Sequence, residues 1–304
     1  MSLFIVRFTI GSHTNIKNIP GKFVSLSMMP KVILITGASS GIGYDAAQAL
    51  SRQGHKVYAA ARRVELMEPL KQLGTVPIRM DVTDEASMQE GVRAILEAEG
   101  RLDVLINNAG YGYFGAIETT PMEDARRQLE VNIFGLARLC QLVLPAMREQ
   151  GGGRIVNTSS IAGKMVLQFG GWYNISKYSV EAFSDALRME VKPFGIDVCI
   201  IEPGGIHTDW GLIAARHLRE NAAGSAYEEA ALREASLLEF GYSGRWLSSP
   251  AVVTRAILRA VNHRHPRTRY RIGMGAHVMP LLHALLPARW WDALMRRFLK
   301  IKIA

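Results

Sequence analysis

A tyrosine and a lysine four residues apart are the first side chains in this chain that could perform acid–base chemistry. Tyr173 and Lys177 lie in a segment with helical spacing, so both side chains face one side of the helix. A phenol has an ordinary pKa of about 10, which is too high for efficient proton transfer near neutral pH. A neighbouring ammonium stabilises the phenolate and lowers that pKa. The pair is therefore a candidate proton-transfer centre.

Three further polar residues could complete this centre. Ser159 and Ser160 follow an apolar, strand-like run and offer hydroxyl groups that could hold a substrate oxygen. Asn132 lies inside a long helical segment, where an amide is a poor helix former. Buried there, it could bond a backbone carbonyl or anchor a water molecule. Most Tyr/Lys neighbours in proteins are surface residues, so these residues need a supporting context before they indicate an enzyme.

A glycine-rich turn follows the first strand-like run. It comprises Thr36, Gly37, Ala38, Ser39, Ser40, Gly41, Ile42 and Gly43, and a helical pattern begins within it. Glycine lets the backbone approach a pyrophosphate closely, and a helix N-terminus offers N–H donors and positive dipole character. The spacing is G-x-x-x-G-x-G rather than G-x-G-x-x-G, and a purely structural turn is the alternative. The position between a strand and a helix favours a dinucleotide site.

The residues after the second strand-like run indicate which dinucleotide is bound. An NAD site usually has a carboxylate there for the ribose 2′-hydroxyl. Here Ala61 takes that place, and Arg62 and Arg63 follow it. Guanidinium groups suit a 2′-phosphate, so we expect NADP(H), with NAD(H) less favoured and two solvated arginines as the alternative without a ligand. Asp81, after the third run, could accept from the adenine amino group or cap the next turn.

The elements that must position these residues alternate along the chain. Strand-like runs cover 32–36, 56–61, 76–80, 103–106, 154–158, 196–201 and 269–272, and helical patterns cover 42–54, 64–73, 84–99, 173–191 and 249–262, with a long one from 120. Strands separated by helices form parallel sheets that are covered on both faces, and their continuous apolar character agrees with that burial. We predict a single α/β domain, a Rossmann-like, doubly wound parallel sheet with helices on both faces.

Composition and charge exclude other classes of protein. The chain has 304 residues, of which 48% are hydrophobic and 21% charged, and this balance is globular. The net charge of +9 is concentrated at the two ends. No recognition motif accompanies these basic residues, so we expect no nucleic-acid partner.

No uninterrupted apolar run reaches about 18 residues, so a spanning helix is not expected. Cys140 and Cys199 lie in apolar runs without zinc-like spacing, which predicts free thiols, no metal site and a cytoplasmic location.

Together these motifs make the sequence resemble a short-chain dehydrogenase/reductase over about residues 31–210. Their order and separations fit together, including a serine 13 residues ahead of the tyrosine. The matching pieces are Thr36–Gly43, Asp81, Asn107, Asn108, Ala109, Gly110, Asn132, Ser160, Tyr173, Lys177, Pro203, Gly204 and Thr208.

The resemblance implies a role for each of these residues. Tyr173 would be the general acid in reduction and the general base in oxidation, and Lys177 would bind the nicotinamide ribose and lower the pKa of the tyrosine. Ser160, rather than Ser159, would position the substrate oxygen. Asn132 would complete a proton relay through water to Lys177. Asn108, Ala109 and Gly110 would line the cofactor cleft, and Pro203, Gly204, Ile206 and Thr208 would close around the nicotinamide.

The chain divides into three segments on this interpretation. Residues 1–28 lack a clear period and are predicted to be a dispensable, disordered extension. Residues 29–275 form the catalytic domain, within which 206–247 would cover the substrate. Residues 276–304 form a basic amphipathic segment, whose apolar face comprises Trp290, Leu294, Phe298 and Ile301. This segment could lie on an anionic membrane surface, cover the pocket or pack against a second subunit.

The substrate is expected to be a hydrophobic carbonyl or alcohol. Residues expected to border the pocket are aromatic or apolar, and the alternative is that several of them pack the core. They are Tyr111, Tyr113, Phe114, Met165, Phe169, Trp172, Trp210 and Leu212. The resemblance extends to family members acting on steroids, retinoids and other lipophilic compounds.

These inferences predict an NADP(H)-dependent oxidoreductase. The alternatives are an NAD-linked alcohol dehydrogenase of the same family and a dinucleotide-binding sensor without activity. Binding alone needs no proton relay, so the residues around Tyr173 favour the enzyme. The family commonly forms dimers or tetramers, so the resemblance implies a homo-oligomer.

Overall fold

A computed structural model describes residues 29–243 and 247–298 of the chain. The predicted N-terminal extension, 1–28, lies outside the described residues, as does the end of the predicted C-terminal segment.

Seven strands form one sheet in which every neighbouring pair is parallel. The strands are β1 Val32–Thr36, β2 Lys56–Ala61, β3 Val76–Arg79, β4 Val104–Asn107, β5 Gly153–Thr158, β6 Ile196–Pro203 and β7 Arg269–Ile272. Their order is β3-β2-β1-β4-β5-β6-β7, so the winding reverses between β1 and β4. In open α/β sheets, ligands bind in the crevice beyond the carboxyl ends of the strands at such a reversal.

Helices cover both faces of the sheet, which confirms the predicted doubly wound α/β fold. They are α1 Gly41–Arg52, α2 Glu85–Glu99, α3 Met122–Leu129, α4 Gly135–Glu149, α5 Gly171–Val191, α6 Trp210–Ala222, α7 Glu228–Ser243, α8 Pro250–Asn262, α9 Val278–Leu285 and α10 Ala288–Phe298. Alternate residues of β1 enter opposite layers, because side chains alternate along a strand. Ile33 packs in a layer with Leu50 of α1 and Ile257 of α8. Leu34 packs in the other layer with Leu139 of α4 and Val180 of α5.

The predicted helix over 64–73 is wrong in type, because Val64–Leu73 is a 3-10 helix. Pro69 lies inside it. Proline lacks an N–H group, and its ring clashes with the carbonyl four residues earlier, so it disfavours a regular α-helix. Gly74 then ends the segment in the left-handed conformation with φ of 80°.

One helix of the sheet layers is long enough and apolar enough to cross a membrane. It spans Met122–Glu149, which combines α3, a π-helical turn at Glu130–Phe134 and α4. Its residues Leu139, Val143 and Met147 are fully buried in the core beside the sheet. This is the position of a core helix in an α/β domain.

The C-terminal helices pack against the body of the protein through a residue that the sequence pattern did not single out. Trp291 is only 4% exposed, and its Nε1 donates a hydrogen bond to the Val166 carbonyl at 3.2 Å. Trp290 is 67% exposed, and Leu294, on the predicted apolar face, is also exposed. The apolar face predicted from helical spacing is therefore not the face that contacts the domain. The other members of that face, the Phe298 side chain and Ile301, lie outside the described residues.

Candidate active site

A cleft of about 1330 Å³ lies beyond the carboxyl ends of the central strands. It brings together nearly all of the site residues predicted from the sequence. They are Thr36, Gly37, Ser39, Ser40, Gly41, Ile42, Arg62, Arg63, Asp81, Asn108, Ala109, Gly110, Ser160, Tyr173, Lys177, Pro203, Gly204, Ile206 and Thr208. Gly43 and Asn132 do not line the cleft and lie behind its wall.

The glycine turn is held tightly against the end of β4. Thr36 Oγ1 accepts hydrogen bonds from the backbone N–H groups of Asn108 at 3.1 Å and Ala109 at 3.0 Å. Asn108 Nδ2 donates to the Thr36 carbonyl at 3.1 Å. A Cβ atom on Gly43 would lie 2.4 Å from the Gly37 carbonyl oxygen and 2.5 Å from Asn108 Nδ2. Gly43 therefore allows α1 to pack closely beneath the turn.

The same turn places the N-terminus of α1 at the cleft. Gly41, the first residue of α1, has φ of +57°, in the left-handed region that glycine adopts freely. Ser40, at the N-cap position, makes no side-chain capping bond. The N–H groups of the first helical turn have no partner within a helix, so they are available to a pyrophosphate. The turn thus fits the dinucleotide site that the sequence predicts.

The two arginines after β2 are exposed at the edge of the cleft. Neither Arg62 nor Arg63 forms an ion pair within the described part of the chain. Asp81 also lines the cleft, and its Oδ1 accepts from the Thr83 N–H at 3.0 Å and from Thr83 Oγ1 at 2.8 Å. Of the two roles considered for Asp81, these contacts correspond to the turn cap.

Asn132 is buried behind the cleft in the middle of the π-helical turn. Its Nδ2 donates to the Tyr111 carbonyl at 2.9 Å and to Ser176 Oγ at 3.0 Å, and its Oδ1 accepts from the Tyr111 N–H at 3.1 Å. A Cβ atom on Gly110 would lie 3.1 Å from Asn132 Oδ1 and 3.6 Å from Lys177 Nζ. Asn132 therefore adjoins Lys177, and its first visible role is to hold the backbone at Tyr111. Single π-turns inside helices are frequent at functional sites.

Helix α5 carries both members of the predicted proton-transfer pair into the cleft. Tyr173 and Lys177 are each 6% exposed. Lys177 Nζ donates to the Thr158 carbonyl at 2.9 Å and lies 5.9 Å from the centre of the Tyr173 ring. Ser160 lines the cleft with Tyr173, and its Oγ donates to the Pro203 carbonyl at 3.4 Å, whereas Ser159 Oγ is buried and lies 3.5 Å from the Lys177 carbonyl. These contacts agree with the choice of Ser160 over Ser159.

Burial dominates the electrostatics of this pair. It raises the pKa of Tyr173 to about 12, against the smaller lowering effect of the hydrogen bond with Ser160. Burial also lowers the pKa of Lys177 to about 8, against the raising effect of Glu181. The expected lowering of the tyrosine pKa by the lysine is not seen in this arrangement. The physical reason is that the ammonium contacts the Thr158 carbonyl and lies beside the phenol ring.

Aromatic side chains line the cleft next to Tyr173. The Trp210 ring lies 5.1 Å from the Tyr173 ring, 5.6 Å from the Phe114 ring and 5.9 Å from the Tyr242 ring, measured between centroids. Six of the eight predicted pocket residues line the cleft, namely Tyr111, Tyr113, Phe114, Met165, Trp210 and Leu212.

The prediction is wrong for Phe169 and Trp172, which do not line the cleft. Phe169 packs against Tyr227 instead, with 6.4 Å between their ring centroids. Four further residues line the cleft and were not predicted from the sequence, namely His217, Glu234, Leu238 and Tyr242. Their spacing of about one turn along α6 and α7 is the signal that could have found them.

The thiols are consistent with the expectation from the sequence. Cys140 and Cys199 are both buried and free. Among residues 29–243 and 247–298, no three His, Cys, Asp or Glu side chains are grouped so that they could hold a metal ion.

Two relatives with similarity along most of the chain are oxidoreductases by name. The chain is 38% identical over 263 residues to a Helicobacter pylori protein named "probable short-chain type dehydrogenase/reductase", which covers 86% of this chain and 96% of that protein. It is also 38% identical over 279 residues to the 3-ketodihydrosphingosine reductase of Bacteroides thetaiotaomicron, covering 90% of this chain and 98% of the relative.

Solved structures share the fold. A short-chain dehydrogenase from Streptomyces avermitilis superposes with a TM-score of 0.73 at 33% identity, covering 90% of this chain and 97% of its own. A short-chain dehydrogenase/reductase from Burkholderia phymatum in complex with NAD superposes with a TM-score of 0.72 at 26% identity. The match covers 91% of this chain and 99% of that one. A serine dehydrogenase complexed with NADP+ superposes with a TM-score of 0.70 at 25% identity. The match covers 80% of this chain and 94% of that one.

The similarity shows the family and supports a type of cofactor. Two of these solved structures hold nicotinamide dinucleotides, which supports a cofactor of this type here. The short chain dehydrogenase family matches residues 31–215, more than half of the chain. The chain is therefore a member of the short-chain dehydrogenase family, whose oxidoreductases act on CH–OH and C=O groups.

Proposed function

We propose that this protein is an NADP(H)-dependent oxidoreductase that interconverts a hydrophobic carbonyl compound and its alcohol. One observation carries this proposal. Tyr173, Ser160 and Lys177 line the same cleft as the glycine turn. A protein that only senses a dinucleotide needs no buried acid–base group beside the cofactor cleft. The enzyme is therefore favoured over the sensor.

The preference for NADP(H) is supported by the charges at the end of β2. Ala61 stands where an NAD site usually has a carboxylate, and Arg62 and Arg63 border the cleft immediately after it. A 2′-phosphate carries negative charge and several acceptor oxygens, which guanidinium groups bind well. Since the neighbouring structures hold either NADP+ or NAD, these side chains decide our choice.

The proton-transfer step follows from the position of Tyr173. A nicotinamide ring bound in this cleft supplies the hydride in reduction and accepts it in oxidation. The Tyr173 hydroxyl gives its proton to the carbonyl oxygen in reduction and takes one from the alcohol in oxidation. Ser160 donates a hydrogen bond to the same oxygen and thereby orients the substrate. Because burial keeps the phenol protonated up to high pH, Tyr173 is ready to act as an acid.

Lys177 and Asn132 support this step from behind the wall. The Lys177 ammonium contacts the Thr158 carbonyl and lies 5.9 Å from the centre of the tyrosine ring, where it would hold the ribose of a bound cofactor and stabilise the phenolate as it forms. Asn132 adjoins it across Gly110, and a water molecule between them would complete the proton relay. Proton supply from solvent then passes through buried groups, and Tyr173 itself stays inaccessible to bulk water.

A hydrophobic substrate is supported by the lining of the cleft. Phe114, Trp210 and Tyr242 form an apolar wall next to Tyr173 and offer surface to a nonpolar chain or ring. The Bacteroides relative is named as a reductase of a 3-keto compound, which agrees with a ketone substrate. The cytoplasmic location, the homo-oligomer and the membrane contact of the C-terminal segment stay predictions.

The test is cofactor consumption with a panel of hydrophobic ketones and aldehydes, followed by absorbance with NADPH and with NADH. We expect turnover of part of the panel, with a higher kcat/KM for NADPH. Faster turnover with NADH would overturn the cofactor assignment. Tight NADPH binding without consumption on any carbonyl would favour the sensor.

A further inference from the structure

The substrate end of the cleft is lined by a helical hairpin whose inner face is only partly apolar. Helices α6 and α7 follow each other along the chain and pack together. At least one side chain per turn of each helix reaches the cleft, because residues three or four apart share a helix face. These residues are Trp210, Leu212, Ile213 and His217 of α6, and Glu234, Leu238, Tyr242 and Ser243 of α7.

Glu234 is the unusual member of this face. Its Oε2 is buried and has no hydrogen-bond partner among the described residues. Its neighbours Ala231 and Ala235, and Leu218 of α6, are almost fully buried apolar residues of one cluster. Placing a carboxylate in such surroundings without a partner is costly, and burial raises the pKa of Glu234 to about 7. An apolar side chain of similar size would pack at this position without the cost of burying a charge.

His217 provides a second unsatisfied polar atom in the same part of the cleft. Its Nδ1 is buried without a partner among the described residues, and its ring stacks on Tyr113 with 4.6 Å between the centroids. The Tyr113 hydroxyl donates to Asp124 Oδ2 at 2.7 Å. Burial, together with Asp124 and Glu220, raises the pKa of Tyr113 to about 12, and Asp124 lines the cleft as Glu234 does.

Basic side chains do not neutralise Glu234. Arg127 lines the cleft on the side of Tyr111, and the described residues include no ion pair to Glu234. Arg219, on α6, is paired with Glu239 at 2.7 Å, and Arg233 contacts Glu229. The far end of the cleft therefore carries acidic groups, with an acceptor atom left free on Glu234.

The acidic end is separated from the reacting groups by aromatic rings. Tyr242 stacks near Trp210, which in turn lies 5.1 Å from the Tyr173 ring. Glu234 precedes Tyr242 by eight residues on α7, which corresponds to about 12 Å along the helix axis. A ligand that reaches from Tyr173 to Glu234 must therefore pass the Trp210 and Tyr242 rings and about two turns of α7.

We propose that Glu234 is the anchor of a second subsite, which binds a cationic amine of the substrate at the end remote from the reacting carbonyl. An ammonium group fits because it donates several hydrogen bonds and neutralises the carboxylate in a site that water does not screen. His217 Nδ1 accepts a further hydrogen from the same group. The inference rests on the proposed function and narrows it to amino ketones or amino alcohols with an apolar spacer.

The first test is a matched pair of substrates. One is a methyl ketone with a primary amine at the end of a chain of six methylenes, and the other carries a methyl group in place of the amine. With NADPH at pH 8, we expect the wild-type protein to prefer the amino ketone by at least about tenfold in kcat/KM. Glu234→Gln should bring the ratio of the two substrates close to one. Glu229→Gln, on the exposed side of α7, is the matched control and should keep the ratio.

A ratio that Glu234→Gln leaves unchanged, or a wild-type preference for the neutral ketone, would overturn the proposal. A second measurement separates this failure from failure of the proposed function. Octylamine and 1-octanol are titrated calorimetrically into the NADPH-saturated protein and its Glu234→Gln variant. Octylamine binding that depends on Glu234, without turnover of any ketone, would keep the subsite and remove the reductase. Ketone turnover without Glu234-dependent octylamine binding would keep the reductase and remove the subsite.

Discussion

The two halves of the cleft are built in different ways. On the cofactor side, the polar groups of the glycine turn are engaged with backbone, as Thr36 and Asn108 show through their mutual hydrogen bonds. Gly43 leaves no room there for even one additional carbon atom. On the substrate side, Glu234 Oε2 and His217 Nδ1 are buried and have no partner among the described residues. The first region offers a ligand the backbone N–H groups at the start of α1, whereas the second offers buried side-chain atoms that have no partner among the described residues.

This difference shows which part of the site is constrained by shared chemistry. A dinucleotide needs close backbone approach and free N–H groups at a helix N-terminus, and few arrangements provide both. A substrate needs only a wall of suitable shape and a few polar contacts, which different side chains on the hairpin can provide. The predictions below test whether the two halves behave as separate units.

Among the changes that compare the two halves, the largest effect on binding is expected from Gly43→Ala on the cofactor side. The added Cβ would meet the Gly37 carbonyl oxygen at 2.4 Å, and backbone cannot give way cheaply. We expect NADPH affinity to fall by about 100-fold or more and the melting temperature to drop, measured by fluorescence titration and thermal unfolding. Gly241→Ala on α7, where a Cβ meets nothing within 4 Å, is the control and should change neither. Normal NADPH binding by Gly43→Ala would contradict the tight packing of the turn.

Arg62→Ala should weaken the use of NADPH much more than the use of NADH. Loss of a charged hydrogen bond to the 2′-phosphate is expected to raise the KM for NADPH by roughly 10- to 100-fold and that for NADH by less than about twofold. Steady-state kinetics with each cofactor measures this split. Arg52→Ala, exposed in the last turn of α1, serves as the control. An equal loss for both cofactors would remove Arg62 from 2′-phosphate recognition.

Trp210→Ala tests the separation of the halves from the substrate side. Its ring contacts Phe114, Tyr173 and Tyr242, so its removal opens the apolar wall. We expect the KM of a hydrophobic ketone to rise by about tenfold, with the NADPH dissociation constant changed by less than about twofold. Trp290→Ala removes a tryptophan that is 67% exposed and provides the comparison. A parallel loss of NADPH affinity would mean that the two halves are coupled.

The last of these predictions concerns stability and its dependence on pH. The folded protein raises the pKa of Glu234 from 4.5 to about 7, so the fold favours the protonated carboxyl. The resulting penalty is absent below about pH 4.5, grows as the pH rises and is complete above pH 7. Glu234→Gln should therefore raise the free energy of unfolding by on the order of 2 kcal/mol at pH 8 and leave it nearly unchanged at pH 4.5.

Thermal unfolding at the two pH values measures this change. Glu229→Gln, whose carboxylate is 83% exposed, should show no such dependence on pH. Equal stabilisation by Glu234→Gln at both pH values would point to a packing effect unrelated to the buried charge.

The sequence predicted the fold and the cofactor side well because both depend on local patterns. Alternating strand and helix signals gave the parallel sheet, and the glycine turn, Tyr173 and Lys177 have fixed spacings. The failures have physical causes of two kinds. Pro69 lies inside the predicted helix that is of the 3-10 type, and burial raises the pKa of Tyr173, where a lowering by Lys177 was expected.

The substrate side could be predicted only in outline. Glu234 and His217 face the cleft because α6 and α7 pack as a hairpin, and this tertiary contact leaves a weak signal in the sequence. The burial of Trp291 rather than Trp290 likewise depends on how α10 meets the body of the protein. Local spacing defines the faces of a helix, and the partner helix decides which face is used.

The central claim is that Tyr173, which the sequence also assigns to the cofactor-binding set, transfers the proton and contributes little to the affinity for the dinucleotide. The most direct test compares Tyr173→Phe with the wild-type protein in NADPH-dependent reduction of the best ketone of the panel and in NADPH binding. We predict a fall in kcat of at least about 1000-fold, with the NADPH dissociation constant changed by less than about threefold. Turnover within about tenfold of the wild type would contradict the claim and move the proton donor to another group of the cleft.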